Sequence, residues 1–337
     1  MKGVELMQAK LTAAFNKVIA LLVPIIFALS NIFSTGFSLQ VKPKNAEALQ
    51  LSFAAFSDSH LAGDEDSARV KVLYQGLRNL DGRVDAIVAV GDMTDRGERE
   101  QYETFYRCVK KEVTSSKFIA AVGNHDTWTT GSNGENPTYE FLRAYNGYSG
   151  KNLTEAYYTE EVKGYTFIVL ATEADNTSAY LSEKQISWLD SELEKATEGG
   201  KPVFVLCHWP LDGTCGQTEI DPEHGMGAQS AEVQAVLEKY KNVFYFSGHL
   251  HAGLRGELSN KIFGHQSVET INGVHYINLP SFMFPNTRSL TTNNGGNILP
   301  GCGYIAEVYE NEVVLRVRNY PLGFYMPVYE KTIELVK

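Results

Sequence analysis

Short apolar runs that stop abruptly at polar side chains recur along the chain. LSFAAF ends at Ser57-Asp58-Ser59-His60, VDAIVAV at Gly91-Asp92, KFIAAV at Gly123-Asn124-His125-Asp126, KPVFVLC at His208 and NVFYF at Ser247-Gly248-His249-Leu250-His251. Runs of this length, rich in β-branched and aromatic residues, predict buried strands. Between them lie amphipathic segments with helical spacing: SARVKVLYQGLRNL, EREQYETFYRCVKKEV, SEKQISWLDSELEKA with Ser182 as N-cap, and AQSAEVQAVLEKY. Strands alternating with helices predict an α/β fold, in which ligands gather at the carboxyl ends of the strands. YTFIVLAT ends at Glu173 with no such polar cluster and reads as a structural strand. Near the end, the Glu310-Asn311-Glu312 break and the alternation in VVLRVR predict a β-hairpin and a further strand. The segment 304–337 is therefore taken as a β extension of the domain spanning 49–303, with 42–48 as a linker.

The amino-terminal pattern is different. Residues 18–41 form an uncharged run preceded by Lys2, Lys10 and Lys17 against a single Glu5. A basic start followed by an apolar stretch is the pattern of a secretory signal, and the run is long enough to serve as a membrane anchor. A buried helix of the globular domain is the remaining alternative, but such a helix normally carries a polar face. Residues 1–41 are thus read as signal peptide or anchor, and the protein as exported, either secreted or held at the outer face of the membrane. Cys207 and Cys215 would then be able to pair in an oxidising compartment.

Composition adds exclusions. The 337 residues carry 40 acidic and 30 basic side chains, a net charge of −10. That balance argues against a broad, sequence-independent grip on nucleic acid, which needs a basic surface. Of eight histidines, five fall in the polar clusters: His60, His125, His208, His249 and His251. Any one Asp-x-His or Gly-Asp is more often a turn or a helix cap. Five such clusters at the same end of five strands would bring two Asp, one Asn and several His into one cleft. Such a group is costly to desolvate without a cation. Carboxylate, amide and imidazole without thiolate suit Mn, Fe or Zn.

The order D-x-H, G-D, G-N-H-D, H, G-H-x-H, carried by Asp58 to His251, resembles the calcineurin-like metallophosphoesterase superfamily, in particular its cyclic-nucleotide and nonspecific phosphodiesterase branches. The resemblance implies a four-layer αββα sandwich, with two central mixed β-sheets flanked by helices. It implies two divalent or trivalent metal ions: one held by Asp58, His60 and His251, the other by Asn124, His208 and His249, with Asp92 bridging. It implies that His125 contacts the phosphate and protonates the leaving oxygen, and that Asp126 orients His125. A hydroxide bridging the two metals would attack phosphorus in line, opposite the leaving alkoxide. The expected activity is hydrolysis of small phosphoesters, phosphodiesters first, with a phosphomonoesterase or a lipid-headgroup phosphodiesterase as the alternative. A catalytically inactive surface module of the same fold is the alternative of another class.

Gly91-Asp92-Met93-Thr94-Asp95-Arg96-Gly97 also resembles the second motif of Ser/Thr protein phosphatases, but Val122 stands where those enzymes carry a phosphate-binding Arg. Asp95 and Arg96 are read as a turn with a local ion pair, with Arg96 as a substrate clamp the alternative. Specificity is expected from three loops that hold Trp128, Tyr148, Trp209, Phe282 and Phe284. His224 reads as a solvated surface residue, and His265 and His275 as structural.

Overall fold

In the computed structural model, the described residues are 42–64, 67–132, 136–173, 179–283 and 299–337. The apolar runs form strands: β1 (Leu51–Phe56), β2 (Ala86–Val90), β3 (Lys117–Ala121), β4 (Tyr158–Val162), β5 (Tyr165–Val169), β6 (Val203–Leu206) and β7 (Val243–Ser247). They are followed by β8 (Val268–Ile271), β9 (Val274–Asn278), β10 (Cys302–Val308), β11 (Glu312–Asn319) and β12 (Lys331–Glu334). Two six-stranded sheets result, in the orders β12-β11-β10-β1-β2-β3 and β4-β5-β6-β7-β9-β8. Both are mixed. β1, β2 and β3 run parallel, as do β5, β6, β7 and β9, while the remaining pairings are antiparallel.

The sheets meet through aromatic side chains. Phe53 on β1 packs edge-on against Phe167, Phe204 and Phe246 of the facing sheet, with ring centroids 5.0, 4.7 and 5.6 Å away. Side chains alternate along a strand, so the other face of each sheet needs a cover too. Helix Glu183–Thr197 places Ile186, Leu189 and Leu193 in one core with Val203, Val205 and Val243 of the second sheet, and helix Ser230–Leu237 adds Val233 and Leu237. Helices Ala68–Leu80, Arg99–Glu112 and Tyr139–Ser149 pack on one another beside the first sheet. The four helices expected from periodicity all form. Ser67 and Ser182 cap two of them, their hydroxyls accepting from the Val70 and Gln185 amides.

The carboxy-terminal segment is built into the sheet it was expected to extend. β10 pairs antiparallel with the central strand β1, so a division at residue 303 falls inside a strand. The linker is tied to the same strand region: the Lys44 amide donates to Glu307 and the Asn45 amide to the Tyr309 hydroxyl. Cys207 and Cys215 do not pair. Both are free and buried, and the Cys215 thiol lies 3.5 Å from the Ser267 and Tyr276 carbonyls. The expectation of a signal peptide or anchor at 1–41 lies outside the described residues. Among the described residues no helix is long and apolar enough to cross a membrane.

Candidate metal centre

Parallel strands deliver their carboxyl ends to one edge of each sheet, and stacking the sheets brings those edges together. Asp58 and His60 follow β1, Asp92 follows β2, Asn124 and His125 follow β3, His208 follows β6, and His249 and His251 follow β7. All seven expected ligands converge. His251 Nε2 lies 3.0 Å from Asp58 Oδ1 and 3.1 Å from His60 Nε2, and His60 Nε2 is 3.5 Å from Asp92 Oδ2. On the other side, His208 Nε2 lies 3.2 Å from Asp92 Oδ2 and 3.1 Å from Asn124 Oδ1, and Asn124 Oδ1 is 3.0 Å from His249 Nδ1. Asp92 Oδ2 belongs to both groups. Its other oxygen, Oδ1, accepts from the His125 amide at 2.9 Å.

The chemistry of the donor atoms calls for cations. His208 Nδ1 faces the Val90 carbonyl at 2.9 Å and donates to it, which leaves Nε2 facing Asn124 Oδ1 and Asp92 Oδ2, where a cation would take the place of the Nε2 proton. Oxygen and nitrogen donor atoms therefore converge there. Asp58 Oδ2 is buried and has no hydrogen-bond partner among the described residues, an expensive condition for a carboxylate oxygen. Donors around one ion at about 2.0–2.2 Å stand about 3–3.5 Å from each other, and the spacings above fall close to that range. The residues therefore fit two metal ions sharing Asp92.

Electrostatics points the same way. Burial raises the Asp58 carboxyl, but His251 and His208 outweigh it and hold the group low. Burial opposes ionisation of Asp92 as well, and His208 and His60 overcome it. Burial drives His60 down to about 4 and His249 down to about 3, so both imidazoles are neutral and ready to ligate. Burial also disfavours the charged form of His208, yet Asp92 and Asp58 pull it up to about 9. The carboxylate pair thus draws positive charge onto its neighbour, the same demand that a metal ion meets.

The backbone is strained where the expected ligands sit. Asp58, His60, Asp92, His249 and His251 all have positive φ, between 42° and 69°. Such conformations cost free energy in residues that carry a Cβ and persist only where surrounding contacts enforce them. Gly91, at φ 80°, lies so close to His208 that a Cβ would fall 2.5 Å from the imidazole Nδ1.

Residues 51–253, which include every ligand described above, match the family profile of the calcineurin-like phosphoesterases. The chain belongs to the calcineurin-like phosphoesterase family. It is a phosphoric ester hydrolase with a dinuclear metal centre. A 3′,5′-cyclic-nucleotide phosphodiesterase of Nostoc sp. is 24% identical over 76% of this chain and 87% of that protein. A probable glycerophosphodiester phosphodiesterase of Arcobacter nitrofigilis is 26% identical over 58% of this chain and 70% of that protein. Among solved structures, a dimetal phosphatase from Danio rerio shares the fold, with a TM-score of 0.55, 16% identity, and coverage of 86% of this chain and 100% of that one.

Other parts of the phosphoesterase site differ from expectation. The Asp126 carboxylate does not reach the His125 ring. It is fully buried and accepts from the Met93, Thr94 and Gly123 amides and the Thr94 hydroxyl, at 2.7–3.2 Å. The His125 ring is oriented instead by the Asp95 carbonyl, 2.7 Å from Nδ1. Asp95 and Arg96 do not form the expected local pair. The Asp95 carboxylate lies 3.6 Å from Arg69 and 3.8 Å from His60 Nδ1, while Arg96 sits over the Trp128 ring. Arg69 also donates to the His60 carbonyl. Nothing in the sequence spacing of Arg69 and His60 marks this link to an expected ligand.

The expected specificity aromatics separate. Tyr148 is packed between Tyr106 and Phe118, Trp209 is buried against His249, and Phe282 is buried against Phe56. Phe284 lies outside the described residues. Trp128 alone of the other four is exposed, with its ring 5.0 Å from that of His125. His224 is exposed as expected. It pairs with Asp221, although its ring stands 6.2 Å from that of His249. His265 hydrogen-bonds Arg255 and His275 hydrogen-bonds Thr270 within the body of the fold.

Proposed function

We propose that this phosphoesterase hydrolyses small phosphodiesters. The observation that carries the reading is the convergence of Asp58, His60, Asp92, Asn124, His208, His249 and His251 on two donor groups, with His125 at their side. Two relatives named as phosphodiesterases favour diesters.

Asp58, His60, Asp92 and His251 would hold one ion, and Asp92, Asn124, His208 and His249 the other. The ligand chemistry suits Mn, Fe or Zn. When bound, such a pair supplies Lewis-acid charge to the phosphoryl oxygens and acidifies water. The remaining work belongs to side chains. Val90 and Asp95 carbonyls fix the tautomers of His208 and His125. With Nδ1 donating to Asp95, His125 directs Nε2 outward, where a protonated imidazole would give its proton to the departing oxygen. The exported location rests on the lysine-flanked apolar segment at 18–41 and would be read by fractionating cells that make the full chain.

The decisive experiment combines metal analysis of protein purified without chelator with a panel of substrates. The panel holds bis-p-nitrophenyl phosphate, cyclic nucleotides, glycerophosphodiesters and phosphomonoesters. Two bound metals and faster turnover of diesters are expected. Turnover confined to monoesters would overturn the diester reading, and protein inert after Mn reconstitution would overturn the enzymatic one.

A further inference from the structure

Beside the metal ligands stands an aromatic surface with no structural task in the core. Trp128 is among the few large hydrophobic residues left exposed, at 37%. Its ring meets the His125 ring at 5.0 Å and 61°, and the exposed Arg96 guanidinium lies 5.8 Å above the indole. An exposed tryptophan would ordinarily pack down or swing freely. The segments around this one are held to each other. The Thr129 amide and hydroxyl both donate to the Arg96 carbonyl, at 3.0 and 2.6 Å. The Asp95 carbonyl holds His125, and Asp126 pins the 93–94 and 123 backbones to each other. The segments that carry Arg96, His125 and Trp128 are thereby stitched into one rigid unit.

We propose that Trp128 and Arg96 form a stacking platform for the base of a nucleoside phosphodiester, and that they set the specificity of the enzyme. The platform rests on the phosphodiester reading and deepens it. A planar base presents a π-face to the indole, and the Arg96 guanidinium adds a planar cation that stacks on bases. His125 is the group placed to protonate the leaving oxygen, so the platform lies on the leaving-group side of phosphorus. A glycerol or choline moiety offers no π-face and gains little there. Tyr148, Trp209 and Phe282, the other described aromatics expected in the specificity loops, are packed into the body.

The test uses the metal-loaded enzyme, Trp128→Ala, Trp128→Phe and Arg96→Gln, with 3′,5′-cyclic AMP and glycerophosphocholine as paired substrates. The readout is the ratio of kcat/KM for the nucleotide to that for the glycerol diester. Stacking contributions imply that Trp128→Ala lowers this ratio at least about fivefold, mainly through KM, and that Trp128→Phe restores most of it. Binding is read separately by tryptophan fluorescence. Adenosine 5′-monophosphate should quench the wild type, glycerol 3-phosphate should not, and Trp128→Phe should remove the quench although Trp188 and Trp209 remain. An unchanged ratio in Trp128→Ala, or equal quenching by the two products, overturns the platform. If the wild type cleaves neither diester, the diester reading falls, while the quenching experiment still decides the platform.

Discussion

At the scale of single residues, His125 and Asp126 divide tasks that adjacent positions suggest they share. His125 touches the ligand shell through its amide, which donates to Asp92, and its ring is set by a backbone carbonyl. A general acid contributes about 10²–10⁴-fold. His125→Ala should therefore lower kcat on an alkyl diester by that order, with bound metal unchanged by elemental analysis. The loss should be much smaller on bis-p-nitrophenyl phosphate, whose leaving group needs no proton. Equal losses on both substrates would remove His125 from the acid role. Asp126, with four donors on a buried carboxylate, acts on backbone. Asp126→Ala strands those donors, and each buried orphan costs about 1–3 kcal/mol. A marked drop in stability on urea unfolding of the metal-free protein is expected. Unchanged stability with lost activity would return Asp126 to an orienting role.

At the scale of elements, the strand ends do the positioning. Five of the expected ligands, Asp58, His60, Asp92, His249 and His251, sit at positive φ, where each strand turns sharply at its carboxyl end. Close approach leaves no room for side chains at the intervening glycines. A Cβ on Gly248 would overlap the Ser57 hydroxyl and fall 2.8 Å from Asp58 Oδ2. Gly248→Ala should displace Asp58 and lower metal content on purification, with a destabilisation of about 1–3 kcal/mol from overpacking. Metal analysis and urea titration check the two effects together. Retained metals at wild-type stability would show that the β7 turn has slack the structure does not display.

At the scale of the whole molecule, the two sheets are joined by the Phe53 cluster and by the ligand set itself. Ions that bind only the folded state stabilise it by mass action, about 2.7 kcal/mol at a hundredfold excess over Kd. Chelation should therefore lower Tm, and added Mn or Zn should restore it. A Tm indifferent to chelator would mean that the cleft is not a tight dinuclear site. Acid should act through buried histidines as well. Burial on β9 depresses His275 to about 4, below its ordinary value of 6.5. The unfolded chain then binds the proton more readily than the folded one. The stabilisation is complete above about pH 6.5 and is lost as pH falls towards 4. His275→Gln should flatten part of that loss in denaturation curves compared at pH 7 and 5.

Much of this was legible in the order of residues. The alternation of apolar runs and amphipathic segments specifies strands and helices through burial, and a polar cluster after each run marks the carboxyl ends where ligands must lie. The gathering of Asp, Asn and His in one cleft follows from that pattern because placement after a strand is local, whereas the choice of seven ligands and the role of His125 comes from the resemblance to the calcineurin-like phosphoesterases. What depends on tertiary contact was not legible. Arg69 reaches the His60 carbonyl, and the Val90 carbonyl orients His208 from the opposite sheet. Asp126 serves backbone amides rather than its neighbouring ring. β10 lies beside β1 rather than at the margin, and Tyr148, Trp209 and Phe282 turn inward while Trp128 stays out. Each of these was decided by which backbone groups and faces remained to be satisfied once the sheets had stacked, a condition set across the fold rather than along the chain.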